Sequence, residues 1–194
     1  MDKLSYALGL SIGYNFRGAG VKELNCDDFA AALKAVYEDS EKSMTLEEAK
    51  EIVNDYFAKV DQENSELAEK AGKEYLAENA KREGVKMTAT GLQYQVIEEG
   101  TGAMPTATDS VTVHYTGALI DGKVFDSSVE RGAPATFGVN QVIPGWTEAL
   151  QMMKEGAKWR LFIPSSLGYG PQGAGPIPPN STLVFDVHLI KVEK

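Results

Sequence analysis

The chain has 194 residues, of which 43% are hydrophobic, a formal net charge of −9 and a single cysteine. The acidic balance argues against nucleic acid or an anionic membrane as a partner, since either is bound by a basic surface. One cysteine excludes an intrachain disulfide, and no apolar run has the length of a transmembrane helix.

The first ten residues, MDKLSYALGL, lack the long apolar segment and the small-residue cleavage site of an export signal. We therefore expect a cytoplasmic protein. The alternative is a periplasmic or surface protein whose signal peptide has been removed, because its mature sequence would look the same.

The character of the chain changes near residue 90. All eight prolines and thirteen of the nineteen glycines follow this point. Residues 1–90 carry 18 acidic and 12 basic side chains, whereas residues 91–194 carry 10 and 7. A charge-rich segment without proline is typical of helices, and one interrupted by proline and glycine is typical of strands and turns. We predict two domains, a helical one over residues 1–86 and a second one over residues 87–194.

Two short amphipathic helices are predicted first. Leu4, Leu8 and Ile12 recur every fourth residue, which is the spacing of one helix face. Asn25 is the expected N-cap of the second helix, since its side chain can accept a hydrogen bond from a free N–H of the first turn. The apolar stripe of this second helix contains Phe29, Leu33, Val36 and Tyr37.

A long third helix is predicted over residues 46–83. Thr45 and Glu48 form a capping box before it, and Gly72 alone interrupts its helix-forming residues. At 1.5 Å per residue the helix would be about 57 Å long. Its apolar stripe thins after Val60, so we expect the second half to be a polar arm that leads to the second domain.

Two interpretations of the helical half remain. The helices could form a local core of their own, or they could pair with those of a second chain. Helices of this size bury little apolar surface alone. This favours a homodimer through the N-terminal helices, with the long helix connecting each copy to its second domain.

The second half has the pattern of an antiparallel sheet with one short helix. Strand patterns are found in GLQYQV, DSVTVHYTGAL, ATFGV, KWRLFIP and STLVFDVHLIKVE. The turn dipeptide Asp121-Gly122 predicts a hairpin between residues 111–119 and 123–125. The segment IPGWTEALQMMKEG, residues 143–156, predicts the helix, because it begins near a proline and ends with a glycine. We expect an α+β unit in which a curled antiparallel sheet wraps around this short helix.

Two glycine-rich segments match nucleotide-binding patterns without the context that such sites need. GALIDGKV lacks the final serine or threonine of a phosphate loop and falls at a hairpin turn rather than before a helix. GYGPQG is followed by prolines rather than by a helix whose N-terminus could hold a pyrophosphate. We expect neither to bind a nucleotide.

A hydrolase site around Asp126, Ser127 and Ser128 is a remote alternative. Such a site needs a nucleophile, a base and an orienting group, but His114 and His188 fall on strand faces opposite the apolar residues. The chain also has no G-x-S-x-G elbow. Two histidines without clustered cysteine or aspartate do not suggest a metal site, so we expect neither proton-transfer catalysis nor a bound metal.

Aromatic residues recur on the apolar side of several predicted elements. They are Tyr115, Phe125, Phe137, Trp146, Tyr169 and Phe185. From the pattern alone they could form an ordinary aromatic core, or they could line a binding cleft.

Five segments add a resemblance to a known family. VTVHYTG, DGKVFDSS, QVIPGW, GYG and IPPNSTLVFDVHL resemble the FKBP-type peptidyl-prolyl cis–trans isomerases, or rotamases, in order and spacing across residues 91–194. The helical half, which ends EYLAENAKREGVKMTATGLQYQVI, is similar to the dimerising N-terminal extension of the bacterial Mip and FklB-like branch. The resemblance covers nearly the whole chain. It implies the FKBP fold, isomerisation of Xaa–Pro bonds during protein folding, and no cofactor.

The resemblance also implies a site. Trp146 would form the floor of a pocket, Asp126 would lie at its rim in contact with Tyr115, and the N–H of Ile143 and the hydroxyl of Tyr169 would hold substrate carbonyls. The implied catalytic residues are Tyr115, Phe125, Asp126, Tyr169 and Phe185. The implied substrate-binding residues are Phe137, Val142, Ile143, Trp146 and Ile177.

Departures from the family pattern bear on ligand preference. Ala135 takes a position that is phenylalanine in some eukaryotic members, Gly168 takes one where alanine is usual, and the loop before Ile177 is shorter. We expect these differences to affect substrate preference and the affinity for macrolides of the FK506 type rather than the activity itself.

The expected partners are proline-containing unfolded or partly folded proteins and FK506-type macrolides. The competing interpretation is a dimeric holdase chaperone that binds unfolded clients with little isomerase activity. The complete aromatic set favours the isomerase, whereas the long helix and the dimer favour a chaperone, and the two activities are compatible.

Overall fold

A computed structural model describes residues 1–193 of the chain. The chain divides into two compact units, Met1–Gln62 and the residues from Glu63 onward. The division lies within the longest helix, whereas the predicted domain boundary lies between residues 86 and 87. The last part of that helix therefore belongs to the second unit.

The first two helices begin at side-chain caps. Helix α1 (Lys3–Gly18) starts after Asp2, whose carboxylate accepts a 2.7 Å hydrogen bond from the N–H of Ser5. Helix α2 (Cys26–Tyr37) starts after the predicted cap Asn25, whose side chain accepts hydrogen bonds from two N–H groups of the first turn. Each cap satisfies donors that the helix itself cannot.

Helix α3 (Leu46–Asn79) begins with the predicted capping box. Thr45 accepts a hydrogen bond from the N–H of Glu48, and Glu48 accepts one from the N–H of Thr45. The helix ends at Asn79 rather than at residue 83. A turn follows in which Gly84 takes a φ of 80°, which glycine adopts without strain.

Little of the first unit is buried. Phe16 and Phe29 meet edge-to-face with ring centroids 5.8 Å apart, and the hydroxyl of Tyr56 donates a 3.2 Å hydrogen bond to the carbonyl of Gly20. None of the residues described for α1 or α2 is buried. The large apolar side chains left exposed include Leu4, Tyr6, Leu8, Leu10, Tyr14, Leu33, Val36, Tyr37, Leu46, Ile52 and Val53.

From Glu63 to residue 193, seven strands form one antiparallel sheet. They are β1 (Val85–Met87), β2 (Gln93–Glu98), β3 (Ser110–Leu119), β4 (Val124–Ser127), β5 (Ala135–Gly138), β6 (Lys158–Ile163) and β7 (Leu183–Glu193). Their order is β1-β2-β6-β7-β3-β4, with β5 paired to the first half of β3. The central strands β3 and β7 pair along their whole length, with one bulge. Each strand except β1 was predicted.

The core of this unit lies between the sheet and helix α4 (Pro144–Leu150). Because side chains alternate across a strand, one face of β3 and β7 is apolar and packs against α4. The predicted helix was longer, but α4 ends at Leu150, and the N–H of Gly156 donates a 2.7 Å hydrogen bond to the carbonyl of Leu189. The arrangement is the predicted α+β fold.

The last part of α3 packs against the opposite face of the sheet. The ring of Tyr75 lies 6.2 Å from that of Phe162, and the side chain of Asn79 donates a 2.8 Å hydrogen bond to that of Gln93. Gln93 in turn donates to the carbonyl of Leu76 at 2.9 Å. The sequence predicted a polar arm leading to the second domain; this part of the helix is polar, and it packs on the sheet through a ring and buried amides instead of an apolar stripe.

Candidate active site

An aromatic cleft of about 600 Å³ lies between α4 and the surrounding strands. All ten residues that the sequence predicted for the site line it: Tyr115, Phe125, Asp126, Phe137, Val142, Ile143, Trp146, Tyr169, Ile177 and Phe185. The lining is completed by Gln141, Ala174, Gly175 and Pro176, which were not predicted. The predicted residues thus come together in one place, and their individual roles remain predictions.

The cleft is assembled from several elements. Tyr115 comes from β3, Phe125 and Asp126 from β4, Phe137 from β5 and Phe185 from β7, while Trp146 comes from α4. The alternation of side chains along the strands turns these aromatic residues toward the helix. Sequence-distant residues therefore meet because β3 has both β5 and β7 as neighbours.

Three rings meet the indole of Trp146 edge-to-face. The ring centroid of Trp146 lies 5.2 Å from that of Tyr115, 5.3 Å from that of Phe185 and 6.1 Å from that of Phe137. Phe125 packs on Phe185 in the same way, at 5.5 Å. Edge-to-face contacts of this kind fix the rings against one another, so the cleft has stiff, apolar walls.

Gly117 of β3 makes room for two of these rings. A Cβ atom at this position would lie 2.5 Å from the ring of Phe185 and 2.7 Å from that of Phe125. Sequence reasoning missed the purpose of this glycine, because it becomes visible only when both rings are placed over the strand.

Asp126 lies at the rim of the cleft in a group of three polar side chains. Its carboxylate accepts a 2.5 Å hydrogen bond from the hydroxyl of Tyr115 and another from the guanidinium of Arg131. Arg131 also donates to the hydroxyl of Tyr115 at 2.9 Å. Arg131 was not predicted, and its one signal in the sequence is its position five residues after Asp126, beyond a turn.

These neighbours keep the carboxylate ionised. Burial alone would raise the pKa of Asp126, but the hydrogen bonds from Tyr115 and Arg131 outweigh burial and hold that pKa below its ordinary value. Burial raises the pKa of Tyr115, and its hydrogen bond to Asp126 raises it further. Asp126 is thus an acceptor that orients a phenol and lacks the raised pKa of a general base at neutral pH.

The indole Nε1 of Trp146 is a buried donor without a hydrogen-bond partner among residues 1–193. Two further donors line the cleft without an acceptor in that range, the backbone N–H of Ile143 and the hydroxyl of Tyr169. Burial raises the pKa of Tyr169, and the charge of Asp126 raises it further, so the hydroxyl stays protonated at neutral pH. Both donors can bind carbonyl oxygens of a peptide that enters the cleft.

The serines next to Asp126 serve the backbone. Ser128 is fully buried, and its hydroxyl accepts a 2.8 Å hydrogen bond from the N–H of Tyr115 and lies 3.1 Å from Nδ1 of His114. Ser127 is also buried. A buried serine cannot reach a substrate, so this Ser–His pair does not support the hydrolase alternative.

Among residues 1–193, no three His, Cys, Asp or Glu side chains are grouped so that they could hold a metal ion. No helix in that range combines the length and the apolar character of a membrane span.

Two family models match the chain. Residues 102–190 match the FKBP-type peptidyl-prolyl cis-trans isomerase model. Residues 1–96 match the domain amino terminal to FKBP-type peptidyl-prolyl isomerase. Between them the two models account for most of the chain.

Individual proteins are similar over the whole chain. The FKBP-type peptidyl-prolyl cis-trans isomerase FkpA of Aeromonas hydrophila is 49% identical over 205 residues, which cover 100% of this chain and 76% of that protein. The outer membrane protein MIP of Legionella longbeachae is 45% identical over 201 residues, which cover 100% and 86%. The crystal structure of FkpA from Escherichia coli has a TM-score of 0.77 at 40% identity and covers 98% of this chain and 95% of its own.

Proposed function

Because the chain belongs to the FKBP-type peptidyl-prolyl cis–trans isomerases, we propose that its aromatic cleft is the place where Xaa–Pro bonds rotate. Family membership makes the chain a peptidyl-prolyl cis–trans isomerase. The observation that carries the site assignment is the apolar cleft itself, which joins all ten predicted residues and is flanked by two free donors.

The cleft lowers the barrier through shape and low polarity. Rotation of an Xaa–Pro bond has a barrier near ~18–20 kcal/mol, because amide resonance is lost on the way. The planar amide is more polar than the twisted one, so a poorly hydrated cleft disfavours the ground state relative to the transition state. Trp146 forms the floor under the proline ring, and Tyr115, Phe137 and Phe185 form the walls. No proton is transferred.

The two free donors hold the substrate during rotation. The N–H of Ile143 and the hydroxyl of Tyr169 bind carbonyl oxygens on either side of the prolyl amide, so the flanking chain stays fixed while the bond twists. Val142 and Ile177 contact the apolar groups next to the proline.

Asp126 acts through Tyr115. Its hydrogen bond to the phenol, supported by Arg131, fixes the ring that forms one wall of the cleft. Phe125 extends the same wall by packing on Phe185.

The substrates are proline-containing segments of unfolded or partly folded proteins, and FK506-type macrolides compete for the cleft. A concave apolar site with a few donors at its edge suits both ligands, since each offers a proline-like ring and carbonyl oxygens. The complete aromatic cleft favours isomerisation over a holdase with little isomerase activity.

The chain acts as a homodimer and as a chaperone for its clients. The exposed apolar residues of α1, α2 and the start of α3 support self-association, because a monomer rarely exposes this much apolar helix surface. The FkpA likeness covers the helical part of the chain as well as the cleft.

The protein acts in the cell envelope. The name of the Legionella longbeachae relative, outer membrane protein MIP, supports this location. The expectation of a cytoplasmic protein has no support from that relative.

A protease-coupled assay with a Leu-Pro tetrapeptide anilide tests the site. The wild-type chain should accelerate cis-to-trans rotation, and FK506 should inhibit it. Tyr169→Phe removes one donor and should lower kcat/KM about fivefold, which corresponds to about 1 kcal/mol for one hydrogen bond.

The matched control is Tyr94→Phe. The ring of Tyr94 stacks on Trp159 at 4.5 Å, outside the cleft, so losing its hydroxyl should leave kcat/KM unchanged. Equal rates for wild type and Tyr169→Phe would contradict the role of this hydroxyl, and an uncatalysed rate with wild type would contradict the site itself.

A further inference from the structure

The C-terminal part of α3 touches the segment that borders the cleft. This segment, residues 168–182, is called the cleft loop here. It includes Tyr169 and Ile177 of the cleft lining and ends where β7 begins. Two contacts join α3 to the cleft loop, and neither belongs to the cleft itself.

The first contact is a hydrogen bond from the cleft loop to Ser65. The side chain of Asn180 donates a 2.8 Å hydrogen bond to the hydroxyl of Ser65. Asn180 has a φ of 55°, a left-handed conformation that non-glycine residues seldom adopt. Its backbone N–H donates a 2.8 Å hydrogen bond to the carbonyl of Gly170, the residue after Tyr169. A continuous path of hydrogen bonds therefore connects α3 to the neighbour of a substrate-binding residue.

The second contact is the close approach of Gly72 to Thr182. A Cβ atom on Gly72 would lie 2.3 Å from Oγ1 of Thr182, and both residues are buried. Glycine is less favourable than alanine inside a helix, so the chain gives up helix stability at this position. The approach of the cleft loop explains why.

We propose that residues 65–72 of α3 are a positioning element of the isomerase cleft, acting through Ser65 and Gly72 on the cleft loop. Ser65 holds Asn180 and thereby the turn that carries Tyr169. Gly72 lets the end of the cleft loop lie directly on the helix. Neither residue touches the substrate. The inference rests on the proposed function, since it concerns how the donor of Tyr169 is kept in place.

The first test compares two hydrogen bonds made by the part of α3 that belongs to the second unit. Ser65→Ala in the full-length chain removes the bond to Asn180, and it should lower kcat/KM for the Leu-Pro peptide roughly threefold to tenfold, the effect of one hydrogen bond. Asn79→Ala removes the buried bond to Gln93. It should lower the melting temperature and leave kcat/KM unchanged when measured well below melting.

Conservative rescue separates positioning from general stability. Ser65→Thr keeps the hydroxyl and should have most of the wild-type kcat/KM. Asn64→Ala, at the exposed neighbouring position, should leave kcat/KM unchanged. Unchanged kcat/KM in Ser65→Ala, or an equal loss in Asn79→Ala, would overturn the proposal.

Gly72→Ala distinguishes a helix α3 that is independent of the cleft loop from one that positions it, because the two cases predict different melting temperatures and kinetics. If α3 were independent of the cleft loop, alanine would raise the melting temperature and leave the kinetics unchanged, and that result would overturn the proposal. If α3 positions the cleft loop, kcat/KM should fall several-fold. Adding Thr182→Ala should then recover part of the loss, because the oxygen that the new methyl group meets is gone.

The same series includes Tyr169→Phe, so that failure of the inference and failure of the proposed function can be told apart. A loss with Tyr169→Phe but with neither α3 variant overturns the positioning role alone. A loss with Ser65→Ala and Gly72→Ala but not with Tyr169→Phe overturns the assignment of Tyr169 and, with it, the inference that α3 acts by keeping that donor in place.

Discussion

At the scale of single residues, the surroundings of Asp126 distinguish a carboxylate that acts as base or nucleophile from one that orients a neighbouring side chain. A carboxylate that acts as base or nucleophile needs a pKa matched to proton transfer and access to the reacting atom. Asp126 instead accepts hydrogen bonds from Tyr115 and Arg131, and its pKa is lowered. Its surroundings therefore suit an orienting role in a reaction that moves no proton.

The substitution Asp126→Asn should lower kcat/KM about tenfold and leave measurable activity, because an amide still accepts a hydrogen bond from Tyr115 but loses the charge that pairs with Arg131. The matched control is Asp186→Asn. Asp186 pairs with Arg160 through two hydrogen bonds on the other face of the sheet, so kcat/KM should not change. A folded but inactive Asp126→Asn protein would contradict the orienting role.

The pH profile of the wild type checks the same role. Folding lowers the pKa of Asp126 below the ordinary aspartate value of about 4. The carboxylate is therefore ionised at any pH above about 4, and its contacts are lost only as the pH falls through the folded-state pKa. Tyr115 and Tyr169 have raised pKa values and stay protonated. We expect a nearly flat kcat/KM between about pH 5 and 8, and a sigmoidal profile in this range would be the contrary result.

Sequence motifs were sufficient for ten of the fourteen residues that line the cleft, because those ten belong to the family pattern. They were not sufficient for Arg131 and Gly117. The role of Arg131 depends on a turn that brings it back over Tyr115. The role of Gly117 depends on two rings from other strands, which no local pattern encodes.

At the scale of elements, β3 organises the site, and at Gly117 two rings of the cleft leave no room for a side chain. Gly117→Ala should displace the rings of Phe125 and Phe185, lower kcat/KM and destabilise the fold by about 1–3 kcal/mol, the usual cost of overpacking. Kinetics and denaturant unfolding measure the two effects. Gly18→Ala is the control, since a Cβ atom there meets nothing within 4 Å. Unchanged activity in Gly117→Ala would show that the two rings do not shape the cleft.

Elements were predictable where local signals agree. The cap at Asn25, the capping box at Thr45 and the turn at Gly122 each lie where expected. The three-residue strand β1 was missed, because its pairing with β2 depends on the partner more than on its own sequence. The end of α3 was misjudged for a related reason, since Tyr75 and Asn79 contact the sheet and Gly72 contacts the cleft loop, in place of an apolar stripe.

At the scale of the whole molecule, the first unit carries the information about assembly. Leu4, Leu8 and Tyr14 on α1 are 69%, 53% and 75% exposed, and Val36 and Tyr37 on α2 are 63% and 83% exposed. The sequence predicted apolar stripes here, and the single chain leaves much of each stripe exposed. A second copy of the chain would bury these side chains, which supports the proposed homodimer.

Light scattering or sedimentation should therefore give about twice the chain mass of 21.0 kDa. The double variant Leu8→Glu, Val36→Glu should be monomeric, because it places charges in the apolar contact. It should keep the wild-type kcat/KM on the small peptide, since the cleft lies in the other unit. It should be several-fold slower than wild type at refolding a protein limited by proline isomerisation, because two linked clefts raise the effective concentration at a bound client.

A fragment of residues 63–194 is the control monomer, and it begins at residue 63 so that α3 still covers Phe162 and Gln93. A monomeric wild-type chain at micromolar concentration, or equal refolding rates for dimer and monomers, would contradict the cooperation of two clefts.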